Sequence, residues 1–224
     1  MLTLMITGSI DLAAQVNGDQ VGAWYMYFWN TTIKESAWGV QGDAQYRNWD
    51  LGGDMEQLLL RGGVSYQPAG TPIKFTLGYA HITSGTFGES DNTTVESRVY
   101  EEAMLPQKFG ERFHLNHRFR YEQRFAQDQD PRTRWRYALF LNVPLTAKTL
   151  SKRVFYLAMY NELFINGERG IGDGRSVELF DRNRLYAGIG YGILNDLRVQ
   201  TGYMRQTTDV ISKDQMQLGL HHKF

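Results

Sequence analysis

The chain contains no cysteine and only five prolines among its 224 residues. The absence of cysteine excludes disulfide bonds, thiolate nucleophiles and zinc or iron–sulfur sites built on thiolates. The 24 lysines and arginines balance the 24 aspartates and glutamates, so the chain lacks the basic excess typical of proteins that bind nucleic acid. Mean hydropathy is −0.44, and no apolar run approaches the ~20 residues of a transmembrane helix. These absences remove several classes of protein and leave the fold open.

Aromatic residues and glycine are abundant by contrast, with 13% aromatics and 23 glycines. They lie within a regular alternation of apolar and polar side chains, which residues 113–125 show most clearly. A β-strand places successive side chains on opposite faces, whereas on a helix the same residues would leave no apolar stripe. The segment is therefore predicted to be a strand. Its apolar face carries Phe113, Leu115, His117, Phe119, Tyr121 and Phe125, and its polar face carries His114, Asn116, Arg118, Arg120, Glu122 and Arg124.

About eleven such runs follow one another along the chain. Further clear examples are 38–47, 132–143 and 197–206. Many reach the ~9–11 residues with which a tilted strand crosses a bilayer, and they exceed the ~5–6 residues typical of soluble strands. Aromatic side chains near the ends of runs, such as Trp24, Trp38, Tyr100 and Trp135, are where an interfacial girdle would place them.

The connections between the runs are of two kinds. Short ones are expected at 68–71, 109–110, 147–149 and 195–196, and longer ones at 84–96, 127–131 and 166–181. Short turns on one rim and long loops on the other are typical of outer-membrane barrels. We predict an all-β, antiparallel up-and-down transmembrane β-barrel of about 12 strands (10–12), with short periplasmic turns and longer extracellular loops, in the bacterial outer membrane. A soluble sandwich or lipocalin-like binding barrel, with its apolar face inward, is the alternative.

The two ends of the chain carry separate predictions. Residues 1–15 are interpreted either as a truncated signal peptide or as an extra first strand, with residues 16–224 forming one barrel domain. Because bacterial barrels have an even number of strands, eleven runs favour a twelfth strand at the N-terminus. The last run places Leu218, Leu220 and the terminal Phe224 on one face. An alternating last strand that ends on an aromatic residue resembles the signal read by the barrel assembly machinery of the outer membrane.

Three segments resemble one protein family. They are His-Arg-Phe-Arg-Tyr-Glu-Gln-Arg-Phe at 117–125, Asn-Glu-Leu-Phe-Ile-Asn at 161–166, and residues 180–204, which begin Phe-Asp-Arg-Asn-Arg-Leu-Tyr-Ala-Gly-Ile-Gly-Tyr. They are similar to the outer-membrane β-barrel family called domain of unknown function 2490, which is frequent in Bacteroidetes-type bacteria. The similarity covers nearly all of the chain after about residue 20. The resemblance implies a fold and a location, and it implies no activity for any residue.

If the apolar face points outward, the charged face lines the lumen. The predicted lumen network comprises Asp43, Arg118, Arg120, Glu122, Arg124, Arg134, Arg136 and Glu162, with Glu101 as a further carboxylate to meet the arginines. In one interpretation arginine–carboxylate pairs hold a narrow barrel closed. In the other, surplus arginine attracts small anionic solutes. The predicted function is an integral outer-membrane protein in contact with lipid, either a porin-like small-solute pore or a structural component of the envelope.

An outer-membrane lipid hydrolase or acyltransferase is the alternative function from a different class. Such an enzyme needs a histidine beside a serine and an acidic or amide partner, and His81 with Ser84 is the nearest approach to that arrangement. The His-x-x-Ser spacing matches no hydrolase signature, so we expect no catalytic residues. Adjacent strand residues such as His221 and His222 point apart, so we expect no metal site. No cofactor and no nucleic-acid partner are expected.

Overall fold

The computed structural model describes residues 20–88 and 91–224, and the regular elements within them are eleven β-strands. The strands are β1 (Gly22–Thr32), β2 (Trp38–Asn48), β3 (Met55–Tyr66), β4 (Lys74–Gly85), β5 (Thr93–Phe109), β6 (Phe113–Ala126), β7 (Arg132–Pro144), β8 (Phe155–Asn166), β9 (Phe180–Gly192), β10 (Leu197–Thr207) and β11 (Ser212–Lys223). Among these residues no helix has the length and apolar composition needed to cross a bilayer.

The strands close into a single barrel in which each strand pairs with its neighbours in sequence. All of these pairs are antiparallel except the closing one. There β1 runs parallel to β11, in register from Gly22 opposite Gln215 to Asn30 opposite Lys223. An up-and-down meander with an odd number of strands must close in this way, because its first and last strands point in the same direction. Closure satisfies the backbone groups that an open sheet edge would leave unpaired.

The predicted all-β barrel is confirmed, with eleven strands against an expectation of about twelve. Among the described strands, the β1–β11 pair departs from the predicted antiparallel arrangement. The twelfth strand was expected within residues 1–15, and these lie outside the described residues. Each alternating run of the sequence corresponds to one strand, because the period of two arises from local backbone geometry alone.

Two rims connect the strands. The first rim carries the connections 49–54, 86–88 with 91–92, 127–131, 167–179 and 208–211, and the second rim carries 33–37, 67–73, 110–112, 145–154, 193–196 and Phe224. The longest connection, 167–179, lies on the first rim as expected. It is held by the bridge between Gly170 and Ser176 and by a hydrogen bond from Asp130 N to Ile171 O of 3.0 Å. The connections of the second rim are not all short as predicted, since one of them is the long segment 145–154.

The barrel wall is apolar outside and charged inside. On the outer face Leu77 and Trp135 are 60% and 58% exposed, whereas on the inner face Glu122 and Arg134 are almost completely buried. This distribution is the reverse of a soluble barrel, whose inner face holds the apolar core. The predicted aromatic girdle is wrong at two of its members: Trp24 and Tyr100 point inward and are 3% exposed. Both belong to runs in which apolar residues occur on both faces, so the sequence pattern does not show whether these two side chains point inward or outward.

Glycines make room on the inner face for tyrosine rings from neighbouring strands. A Cβ atom at Gly190 would overlap the ring of Tyr156, and one at Gly78 would overlap the ring of Tyr100. Tyr156 is itself buried in a cluster with Trp24 and Tyr186, so its ring has little freedom to move aside.

We expect Gly190→Ala to lower the free energy of unfolding by about 1–3 kcal/mol, because the added methyl group overpacks a filled site. Gly62→Ala is the matched control, since a Cβ atom at Gly62 meets open space. Chemical unfolding followed by circular dichroism measures both changes. Equal stability of the two variants would show that the Tyr156 ring is not held against Gly190.

Candidate functional site

The inner faces of β5, β6 and β7 form a continuous sheet of arginine and glutamate side chains. Pairing register places Glu102 opposite Arg120 and Arg120 opposite Arg136. It likewise places Glu122 opposite Arg134. Because alternate residues of each strand share a face, opposite charges meet directly at the Glu102–Arg120 and Glu122–Arg134 pairs, whereas Arg120 and Arg136 are like-charged cross-strand neighbours.

Glu122 lies at the centre of this sheet and is 1% exposed. Its carboxylate accepts hydrogen bonds from Arg134 Nη2 at 2.6 Å and Arg136 Nη1 at 2.5 Å. Two further guanidinium groups lie near this carboxylate: Arg120 Nη1 is 3.7 Å from Glu122 Oε1, and Arg98 Nη1 is 3.8 Å from Glu122 Oε2. One buried carboxylate therefore holds four guanidinium groups together.

Glu162 links the sheet to the next part of the wall. It accepts hydrogen bonds from Arg136 Nη2 at 2.5 Å and from Arg118 Nη2 at 2.6 Å. Arg118 reaches it from two strands away, across the small and fully buried Ala138, which lies in register between them. A larger residue at position 138 would block this contact.

Three further carboxylates pair locally on the inner face. Asp43 accepts from Arg61 Nε at 2.8 Å, directly across β2 and β3. Glu102 accepts from Arg120 Nε at 2.8 Å. Glu96 bridges Arg98 and Arg124, which are like-charged neighbours across β5 and β6. Its Oε1 atom accepts from Arg98 Nε at 2.7 Å and from Arg124 Nε at 2.5 Å.

All eight residues of the predicted lumen network point to the inner face, where Asp43 pairs separately with Arg61. The expectation for Glu101 is wrong: Glu101 lies on the outer face, and its neighbour Glu102 takes the inner position. Consecutive glutamates and mixed polarity on β5 obscure its faces in sequence. Counting back from the connection 110–112, which pairs Phe109 with Phe113, would have placed Glu102 opposite Arg120.

Several inner-face cations outside the predicted network lack a close carboxylate. Arg47 and Arg184 bond mainly to glutamine side chains, and Arg198 forms no hydrogen bond or ion pair within residues 20–88 and 91–224. The whole sequence has 24 basic and 24 acidic residues, and this balance of charge is therefore not reproduced inside the barrel.

A cavity of about 410 Å³ lies within the lumen. Ten arginines line it against two glutamates, Glu96 and Glu162. The arginines are Arg47, Arg61, Arg98, Arg118, Arg124, Arg134, Arg136, Arg182, Arg184 and Arg198. Asp43, Glu122 and Asp181 also pair with members of this set. The arginines that remain in excess make the electrostatic potential within this cavity favour anions.

The wall opposite the charged sheet is aromatic. Tyr160 and Tyr186 stack with ring centroids 4.9 Å apart and planes at 13°, and Trp24 belongs to the same buried cluster as Tyr186. Gln217 donates a hydrogen bond to the Tyr160 hydroxyl at 2.9 Å. The cavity therefore offers a cationic side and a flat apolar side to any molecule that enters it.

The histidines do not form a catalytic arrangement among the described residues. His81 lies on the outer face of β4, whereas Ser84 points inward and bonds to Gln57 at 3.0 Å. His117 bonds to Tyr137 and Gln107, and His221 stacks on Phe28 at 4.8 Å. Within the part of the chain that the structure covers, no histidine hydrogen-bonds to a serine or a carboxylate, and no group of three potential metal ligands occurs.

The residues of the predicted assembly signal lie near the closing seam. Leu218 and Phe224 are exposed, and Phe224 contacts His222 with ring centroids 4.0 Å apart. The Phe224 amide donates to Asn30 O at 2.9 Å, so β1 holds the end of the chain in place. Recognition of these residues during assembly stays a prediction.

Comparison with known proteins gives one match. No curated protein and no solved structure matches the chain. A family described as a protein of unknown function, DUF2490, matches residues 21–217, which include ten whole strands and part of the eleventh. This agrees with the resemblance seen in residues 117–125 and 180–204, and the chain belongs to the DUF2490 family.

Proposed function

We propose that this protein is an integral barrel of the bacterial outer membrane whose lumen passes small anionic solutes. The observation that carries the proposal is the inverted wall, with large apolar side chains exposed outside and an excess of arginine buried inside. The lumen of an eleven-stranded barrel is intermediate in width between those of small filled barrels and wide porins. It suits small solutes that move past fixed charges.

The outer face supports insertion into a membrane. Aromatic pairs such as Phe119 with Tyr137 and Tyr121 with Trp135, at 4.9 Å and 4.5 Å, stand outside on strands of 14 and 13 residues. These strands exceed the ~9–11 residues required to cross a bilayer. In water such a surface would promote association, whereas in lipid it is the favourable one.

The inner face supports selectivity for anions. Charged rings in narrow pores select ions by the sign of their fixed charge, and here the fixed charge is positive. The ion pairs of Glu122 and Glu162 keep Arg118, Arg134 and Arg136 in place against the wall, and the positive charge in excess of the carboxylates acts on the solution within the lumen.

Assembly by the barrel assembly machinery, with Leu218, Leu220 and Phe224 as its signal, forms part of the proposal. The exposure of Leu218 and Phe224 at the seam supports it, because a recognition signal must be accessible on the last strand.

Membrane extraction and planar-bilayer recording test the proposed function. We expect the protein to require detergent for extraction and to give discrete current steps. In a KCl gradient of about tenfold, the reversal potential is expected to have the sign of chloride selectivity. Recovery in aqueous buffer without detergent would overturn the membrane assignment in favour of a soluble binding barrel. Cation selectivity, or lipid hydrolysis without conductance, would overturn the assignment of the lumen.

A further inference from the structure

We propose that Arg47 and Arg184 form a fixed binding site for a small organic anion that joins one anionic group to a flat apolar body. An aromatic carboxylate is the simplest member of this class. The inference rests on the proposed function, since solutes must reach the lumen, and it adds a saturable site and a ligand class.

Arg47 is buried without a carboxylate partner. Its side chain, in a residue that is 6% exposed, donates to Gln45 Oε1 and Gln57 Oε1 at 2.6 Å and 2.8 Å. These neutral acceptors position the guanidinium group without forming an ion pair with it. Arg47 lies directly opposite Trp24 in the β1–β2 register, and its guanidinium carbon lies 3.8 Å from the centroid of that ring.

Arg184 approaches the same ring from β9, on the other side of the closing seam. It is 7% exposed, and the one hydrogen bond of its side chain within the described residues runs from Nε to Gln206 Oε1 at 2.8 Å. The nearest carboxylate, Glu162, is 4.0 Å away and already accepts from Arg136 and Arg118. A guanidinium group carries five N–H donors, so most donors of Arg184 remain open to a ligand.

Both guanidinium groups lie against the ring of Trp24. Arg184 lies 4.8 Å from the Trp24 centroid, so the two groups are no farther apart than the sum of their distances to that ring. Glu56, which accepts from Trp24 Nε1 at 3.4 Å, forms its ion pair with Lys213 at 3.6 Å. Two buried like charges with no carboxylate between them are unfavourable, and a bound anion would relieve this by accepting bonds from both.

The surroundings of the pair indicate what the anion carries. Trp24, Tyr160 and Tyr186 line the same cavity, and the two tyrosines present stacked rings. The cavity of about 410 Å³ falls within the range that small-molecule sites occupy. A compact inorganic anion would use the arginines and leave this apolar side unoccupied, so an organic anion with a flat body uses the site more completely.

Isothermal titration calorimetry of the full chain in detergent, with phenylacetate, acetate, inorganic phosphate and benzyl alcohol as probes, tests the site. We expect phenylacetate to bind saturably and at least about tenfold more tightly than acetate or phosphate, and benzyl alcohol not to bind. Arg184→Gln and Arg47→Gln should each weaken phenylacetate binding by about ten- to a hundredfold. Arg169→Gln, in the exposed pair with Glu178, is the matched control and should leave binding unchanged.

Stability separates a binding role from a structural one. Because Arg184 has no close carboxylate partner, Arg184→Gln should leave the unfolding midpoint in ligand-free buffer unchanged or raised. It should abolish the stabilisation that phenylacetate gives to the unsubstituted protein. Unchanged binding in both glutamine variants, or equal affinity for phenylacetate and phosphate, would overturn the site as proposed. Saturable binding without conductance would contradict the proposed pore and support the binding site. Anion-selective conductance without saturable binding would support the pore and contradict the binding site.

Discussion

Replacing Glu122 with glutamine is expected to lower the free energy of unfolding by about 3–5 kcal/mol. The substitution keeps the shape of the side chain and removes the charge that Arg134 and Arg136 contact at 2.6 Å and 2.5 Å. Arg120 and Arg98, at 3.7 Å and 3.8 Å, lose the same compensation. Removing one member of a buried charge cluster is costly because the remaining charges stay desolvated and repel one another.

The matched control is Glu178→Gln on the first rim. Glu178 pairs with Arg169 at 3.0 Å, but both side chains are more than half exposed, and exposed ion pairs contribute only about 0–1 kcal/mol. Urea unfolding in detergent, followed by the mobility difference between folded and unfolded protein on gels, compares the variants. If Glu122→Gln were as stable as Glu178→Gln, the central carboxylate would not organise the lumen.

The adjacent residues Glu101 and Glu102 are expected to respond to leucine in opposite directions. Glu102 is buried against Arg120, whose Nη2 lies 2.5 Å from its carboxylate, so Glu102→Leu should cost about 3–5 kcal/mol. Glu101 points outward between Leu77 and Tyr121 in the strand register and has no hydrogen-bond or ion-pair partner among the described residues. In a bilayer, Glu101→Leu should raise the free energy of unfolding by about 1–2 kcal/mol, since a charge on the lipid face is unfavourable.

Unfolding measured in lipid vesicles distinguishes these outcomes, and each variant serves as the control for the other. The two substitutions are chemically identical and one residue apart, so only the face of β5 differs. A loss of stability in vesicles for Glu101→Leu would place the outer face in an aqueous environment and contradict insertion.

The arrangement of β6 and β7 was predictable to a large extent from sequence. Arg118, Arg120, Glu122 and Arg124 alternate with aromatic and aliphatic residues, so a local period of two was enough to assign them to one face. The same rule failed on β5, where Glu101 and Glu102 are consecutive and both faces carry polar and apolar residues. There the face follows from pairing with β6 through the connection 110–112, which is information that a single run does not contain.

Trp24 shows a similar limit on β1. Its position near the start of a run suggested an interfacial girdle, yet it points into the lumen beneath Arg47. Both neighbours of β1 are needed to see why. The register with β2 places Arg47 opposite Trp24, and the parallel pairing with β11 closes the wall so that Arg184 approaches the same ring.

The alternation of apolar and polar residues was enough to predict long strands with one apolar and one charged face, and hence a barrel of one of a few possible architectures. The chain's missing cysteines and apolar runs excluded whole classes of site and of membrane anchor. The folded chain was needed to establish which face is inside, that eleven strands close through a parallel pair, and that the lumen holds more positive than negative charge. Alternation is a property of consecutive residues, whereas closure, register and charge compensation depend on side chains far apart in the chain.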